Sequence, residues 1–206
     1  MNLAEILKNA DWQKGAGLLP AIIQHQLTGQ VLMLGYVNEE SLSKTFASGK
    51  VWFYSRSKKR LWMKGEESGN ILKFSQAELD CDADTLLIKA LPQGPTCHTG
   101  ATSCFGENSA PEISFLPQLF ELLQERKKKL PENSYTSKLF QEGLDRIAQK
   151  VGEEAVEVVI AAKNSETGKF VGESADLLFH FLVLLAEKGI ALQEIIAELQ
   201  KRHSKD

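Results

Sequence analysis

Cysteine is scarce in this chain. Three thiols, Cys81, Cys97 and Cys104, are too few and odd in number for a disulfide framework, which excludes the small secreted scaffold. Reduced thiols, inert or metal-binding, are the expectation, in a cytoplasmic protein. Long apolar runs are missing too. The first twenty residues hold Glu5, Asp11 and two lysines without an apolar signal core, and no later stretch is long and charge-free enough to span a bilayer. Excess charge of one sign is also lacking. A net −3 at pH 7 gives no broad attraction to nucleic acid, although Arg56, Lys58, Lys59 and Arg60 form one basic cluster suited to the phosphates of a small molecule. With 43% hydrophobic and 25% charged residues there is enough apolar material for real cores, and 206 residues fit one large domain or two small ones.

The first half reads as strands. Ile22-Ile23 and Val31 to Leu34 flank the turn signal Thr28-Gly29, and Val51 to Tyr54 and Leu61 to Met63 flank the polar run Ser55 to Arg60, so two hairpins are predicted. Between them a short helix is bounded by Asn38 as N-cap and Gly49 as terminator, with Leu42 and Phe46 on one face. Ile71 to Ser75 and Leu86 to Ala90 are further strands. Gly94, Pro95, Gly100 and Gly106 mark an irregular stretch. Beyond it the period becomes helical: Phe115, Leu119, Leu122, Leu123; Leu144, Ile147, Ala148, Val151, Ala155, Val158; Leu192, Ile195, Ile196, Leu199. Leu177 to Ala186 is apolar all round except for His180, which predicts a helix buried on several sides, in a bundle core or at a subunit interface. The change of period and Pro111 put the boundary near 108–117. Two domains are expected: β-rich α+β over 1–114, and an all-α helical bundle over 115–206 whose thin core favours dimerisation.

Two sets of acidic residues stand out. Glu153, Glu154 and Glu157 crowd one helix, Glu173 and Asp176 begin the next, and the short polar link Asn164 to Gly168 makes the two helices antiparallel neighbours. Five carboxylates could converge there. Beside Val156, Ala175 and Leu177 such a cluster calls for cations, and Mg2+ with oxygen ligands is the fitting one. Lys150 is placed to reach a phosphate or simply to lie on an exposed face. In the first half Asp80, Asp82 and Asp84 alternate, so an extended strand would put all three on one face with Cys81 opposite. An EF-hand is excluded because Thr85 and Leu91 stand where Gly and Glu are needed. Cys97 and Cys104 share a Gly-containing loop. Three cysteines match a catalytic zinc site with one open position, or else three unrelated buried thiols.

Glu153-Glu-x-x-Glu157 followed by Glu173-x-x-Asp176 resembles the Mg2+ motif of the all-α nucleotide pyrophosphohydrolases. Lys150-Val-Gly-Glu-Glu-Ala-Val-Glu157 and Glu173-Ser-Ala-Asp-Leu-Leu-Phe-His180 resemble more closely the phosphoribosyl-ATP pyrophosphohydrolase branch, over residues 115 to 203. Phe179 departs from the tyrosine expected there. Ser55-Arg-Ser-Lys-Lys-Arg-Leu-Trp-Met-Lys-Gly-Glu-Glu-Ser-Gly-Asn70, Asp80-Cys-Asp-Ala-Asp84 and Cys97-His-Thr-Gly-Ala-Thr-Ser-Cys-Phe105 resemble phosphoribosyl-AMP cyclohydrolase. Lys58 stands where an arginine is frequent.

The resemblance implies a fused pair from histidine biosynthesis, one half releasing pyrophosphate from phosphoribosyl-ATP, the other opening the adenine ring of phosphoribosyl-AMP at N1–C6. It implies Mg2+ on Glu153, Glu154, Glu157, Glu173 and Asp176, which also carry the catalysis, and on Asp80, Asp82 and Asp84. It implies Zn2+ on Cys81, Cys97 and Cys104, in a site shared across a homodimer. Substrate contacts fall to Arg56, Lys58, Trp62, Lys64, Gly65, Glu66, Ser68 and Lys150. His98 would handle protons or orient a neighbour, and His180 is a core residue or a catalyst. Two other classes compete: a housecleaning nucleotide pyrophosphohydrolase with an appended zinc hydrolase, opposed by Ser55 to Asn70, and a zinc-stabilised nucleic-acid module, which would want a fourth ligand and a basic face.

Overall fold

The computed structural model describes residues 1–106 and 110–203. Two units, Met1–Phe115 and Leu116–Asp206, divide the chain. Part of the boundary stretch read from the sequence, at 108–109, lies outside the described residues.

Helix α1 (Leu3–Asn9), which the sequence did not announce, is closed by an Asn2–Glu5 capping box and buries Ile6. Strands β1 (Leu19–His25) and β2 (Val31–Val37) form the first hairpin. Alternation in β1 turns Leu19, Ala21, Ile23 and His25 inward. Helix α2 (Glu39–Ser48) is capped by Asn38, whose side chain accepts the Ser41 N–H at 2.8 Å, and ends on left-handed Gly49. Strands β3 (Trp52–Ser55) and β4 (Arg60–Met63) make the second hairpin. Strands β5 (Leu72–Leu79) and β6 (Leu86–Pro92) complete a four-stranded sheet of order β2-β1-β6-β5. β1 and β6 run parallel, and the other pairs are antiparallel. The core gathers Leu19, Ile23, Leu32, Leu42, Phe53, Leu86 and Ile88, all fully buried.

His25 anchors the β1–β2 turn. Its Nδ1 accepts the N–H of Leu27 and of Thr28, each at 3.2 Å, and burial pushes its pKa below the ordinary imidazole value. A proton on Nδ1 would remove both bonds. Because the folded pKa is lowered, this contribution to stability is present above about pH 6.5 and is lost as the pH falls through the folded value. The three tryptophans, Trp12, Trp52 and Trp62, all lie in this unit. Denaturation followed by tryptophan fluorescence should therefore show stability dropping below pH 6.5. His25→Asn, which keeps an acceptor but does not titrate, should flatten that slope; an unchanged slope contradicts the account.

A 3-10 turn at Glu112–Ser114 closes the first unit, and the second is built from α3 (Phe115–Lys129), which starts at the boundary, α4 (Tyr135–Glu142), α5 (Leu144–Ala161), α6 (Thr167–Lys188) and α7 (Leu192–His203). Helix α4 went unread in the sequence. The core of this unit is Phe120, Leu123, Leu139, Ile147, Leu182, Val183, Leu185 and Ala186. Only the C-terminal part of the apolar run 177–186 is buried, since Leu178 is 41% exposed. Val156, Val159, Ile160, Phe170 and Val171 are exposed as well. No helix among the described residues is long and apolar enough to cross a membrane.

Candidate active sites

Asp80 to Asp84 do not continue a strand, which corrects the reading from alternation. They form the turn between β5 and β6: Asp80 Oδ1 accepts the N–H of Asp84 and of Thr85, each at 3.1 Å, and Ala83 adopts a left-handed φ of 61°. Aspartate bonds its own downstream backbone readily, and that preference outweighs the period-2 pattern. The turn nonetheless draws carboxylate oxygens of Asp80, Asp82 and Asp84 within 4.8 Å of one another. Lys14, which sequence reading missed, sends its ammonium to Asp82 at 2.7 Å and to Asp84. These contacts hold Lys14 charged beyond the ordinary lysine range, and the Lys14 bond is the main cause of a lowered Asp84 pKa. The acidic turn thus already attracts a cation. Cys81 is exposed on it.

A cavity of about 590 Å3 in the same unit is bordered by the predicted Lys58, Trp62, Lys64, Gly65, Glu66 and Ser68 together with Cys97, His98 and Cys104. The β3–β4 hairpin delivers Lys58 and Trp62. Gly65 is needed for the next turn: its φ is 85°, and an added Cβ would come within 2.5 Å of the Asn70 backbone. Glu66 is held by Arg60 at 2.7 Å, and that bond is the first reason its pKa is lowered. Arg56 does not border the cavity. Its guanidinium lies over the Tyr36 ring, 3.7 Å from the centroid.

The thiol loop is tied down by backbone bonds, Cys97 N–H to Ala101 O at 2.9 Å and Cys104 N–H to Leu32 O at 2.8 Å. The Thr99 hydroxyl, 3.1 Å from Cys97 Sγ, is the leading cause of a lowered Cys97 pKa, whereas burial and then the Cys97 charge raise that of Cys104. The two sulfurs therefore sense each other. His98 Nδ1 lies 3.9 Å from Cys97 Sγ. Among the described residues of one chain, Cys81 is not gathered with Cys97 and Cys104 into a three-ligand group.

In the helical unit, antiparallel α5 and α6 bring Glu154, Glu157 and Glu173 oxygens within 4.8 Å of one another. Of the five acids expected to converge, these three lie within that mutual distance. Successive helical residues point about 100° apart, so Glu153 turns aside from Glu154, reaching Arg146 at 3.5 Å and Lys150 at 2.9 Å. Asp176 is exposed, and it is its backbone carbonyl that faces His180 Nδ1 at 2.9 Å. Repulsion from Glu173 and then Glu154 raises the Glu157 pKa. Lys150 bridges Glu154 at 2.8 Å and Glu153, which keeps its ammonium charged.

His180 is buried between elements. A carbonyl only accepts, so in the neutral ring Nδ1 carries the proton and Nε2 accepts from the Tyr135 hydroxyl at 3.0 Å. Glu154 Oε1 lies 3.8 Å from Nδ1. Phe179 packs edge-on to the imidazole. Tyr135 was not foreseen; the only sequence signal was Ser134, an N-cap type in a polar stretch.

Residues 33–106 match the profile of phosphoribosyl-AMP cyclohydrolase, and residues 116–203 that of phosphoribosyl-ATP pyrophosphohydrolase. Relatives called histidine biosynthesis bifunctional protein HisIE align over nearly the whole chain. That of Photobacterium profundum is 49% identical, covering 97% of this chain and 99% of the relative. Those of Escherichia coli K12 and Bacteroides thetaiotaomicron are 53% and 50% identical, covering 95% and 94% of this chain and 96% of each relative. With both site clusters carried by a matching domain, the chain belongs to the family of bifunctional histidine biosynthesis enzymes that join a phosphoribosyl-AMP cyclohydrolase to a phosphoribosyl-ATP pyrophosphohydrolase.

Proposed function

We propose that both hydrolytic steps depend on metal ions held by the two clusters, with Glu154, Glu157 and Glu173 serving pyrophosphate release and Cys97 and Cys104 serving ring opening. The observation that carries this is the pairing of each ligand cluster with groups suited to its substrate. The donor sets fit. Three mutually repelling carboxylates suit Mg2+, and paired thiols, one of lowered pKa, suit Zn2+. When bound, these ions supply Lewis acidity, neutralising phosphate charge in one site and easing the ionisation of water in the other.

The chain's own residues do the rest. Lys150, already charged and oriented by Glu153 and Glu154, can swing its ammonium to a phosphate oxygen of phosphoribosyl-ATP. Glu153, Asp176 and His180 support this site from its margin, with Tyr135 and His180 fixing the orientation of the Glu154 neighbourhood. In the other unit Lys58 and Lys64 hold phosphate, Trp62 offers a ring face to the adenine, Gly65 and Ser68 shape the wall, and Arg60 orients Glu66. His98, exposed at the rim beside Cys97, passes protons between water and the opening ring. Asp80, Asp82 and Asp84 form a second Mg2+ site, for which Lys14 gives way. Arg56 reaches the substrate only by leaving Tyr36.

Cys81 completes the zinc set from a second copy of the chain, in a homodimer. Its exposure and its separation from the other thiols within one chain support this. The exposed apolar residues of α5 and α6 support an intersubunit contact in the helical unit as well.

Supplying phosphoribosyl-ATP and following pyrophosphate and adenine-ring absorbance separately tests the scheme. EDTA should stop both signals, Mg2+ alone should restore pyrophosphate, and ring opening should return only when zinc is also supplied. Full pyrophosphate release in the chelated enzyme would contradict it.

A further inference from the structure

Where α3 ends and α4 begins, a cavity of about 660 Å3 is bordered by Glu132, Ser134, Tyr135, Ser137 and Lys138. Ser134 caps α4, accepting the Ser137 N–H at 3.3 Å, and leaves the Tyr135 and Thr136 amides of the first turn without intrahelical acceptors. Such a terminus favours an anion. A second feature points the same way: Ser137 is 3% exposed, yet its Oγ has no hydrogen-bond partner. A buried hydroxyl left unpaired is costly, so its persistence signals a group that it meets during function. Lys138 brings a positive charge to the rim and Glu132 a negative one. Tyr135 joins this cavity to the acidic cluster, its hydroxyl on His180, which in turn stands 3.8 Å from Glu154.

We infer that this cavity receives the phosphorylated ribose by which phosphoribosyl-ATP differs from ATP, its phosphate meeting Ser137 Oγ, the α4 amides and Lys138. The inference rests on the triphosphate lying at Glu154, Glu157 and Glu173. The triphosphate itself is the poorer occupant of the cavity, whose single carboxylate offers no cluster of oxygens for the cations a triphosphate brings. A sugar monophosphate needs only hydroxyls, amides and one cation. The site would let the enzyme discriminate its substrate from the far more general nucleotide, since buried polar groups left unpaired reject a ligand that lacks the matching arm.

Full-length Ser137→Ala and Lys138→Gln are the test, assayed for pyrophosphate release. KM for phosphoribosyl-ATP should rise about fivefold in the first and about tenfold in the second, with kcat within about twofold. Ribose 5-phosphate should inhibit the wild type competitively and both variants more weakly. A serine kept only for folding would behave differently. Because Ser137→Ala removes an unpaired buried hydroxyl, its Tm should hold or rise while KM worsens, and a lowered Tm with unchanged KM overturns the inference. So does loss confined to kcat, or inhibition by ribose 5-phosphate that both variants retain in full. Ring opening of supplied phosphoribosyl-AMP should be untouched throughout. If the wild type releases pyrophosphate but Glu157→Gln does so equally well, the acidic cluster has been misassigned and the cavity's role falls with it; unchanged KM beside an inactive Glu157→Gln overturns the cavity alone.

Discussion

Cys97→Ala should abolish ring opening while pyrophosphate release continues, so that phosphoribosyl-AMP accumulates from phosphoribosyl-ATP. Cys97 is the thiol whose pKa is lowered, chiefly by the Thr99 hydroxyl, and the thiolate is the form that binds metal. Losing several kcal/mol of Lewis-acid assistance corresponds to roughly three orders of magnitude in rate. Zinc content, measured by atomic absorption, should fall with the activity. Cys81→Ala should give the same phenotype from a turn well separated in sequence. Co-expressed Cys81→Ala and Cys97→Ala chains should then recover part of both zinc and activity, because each heterodimer can assemble one intact set of thiols. Heterodimers verified by mass that bind no zinc would leave the shared site without support.

Glu157→Gln should cut pyrophosphate release by at least about a hundredfold while leaving ring opening of supplied phosphoribosyl-AMP intact. Its effect on stability should have the opposite sign. The Glu157 pKa is raised by Glu173 and Glu154, so the metal-free wild type is more stable while this group is protonated and loses that advantage as the pH rises past the ordinary glutamate range. Glutamine removes the repulsion. At neutral pH the metal-free variant should therefore melt above the wild type, and added Mg2+ should raise the wild-type Tm more than that of the variant. A folded variant that loses both activities equally, or one that melts lower, would show the acid to be structural.

The contrast between what was legible and what was not follows the range of the interactions. Asn38 and Gly49 bound α2 through bonds within a few residues, and the polar run Ser55 to Arg60 closes a hairpin on its nearest neighbours. Both were readable locally. The parallel pairing of β1 with β6 joins Ala21 to Leu86, and no local pattern selects that partner. Lys14 was invisible as a partner of Asp82 for the same reason. The Asp80 to Asp84 turn failed differently: the period suggested a strand, but aspartate competes with a strand by bonding its own backbone. In the helical unit the acidic motif located the cluster, while its spacing alone did not separate Glu153 from Glu154. That choice came from which face α6 covers.

The position of β6 in the sheet sets an order of events during synthesis. β1 lies inside the sheet between β2 and β6, so until residues 86–92 leave the ribosome its second edge has no partner and stays open to pairing with other chains. The thiol loop follows at once, and its Cys104 N–H fastens back to Leu32 on the strand beside β1. One short stretch, 86–104, therefore pairs the second edge of β1 and delivers both loop thiols, so a nascent chain from which Cys97 and Cys104 have both emerged is also one whose β1 can be paired on both sides.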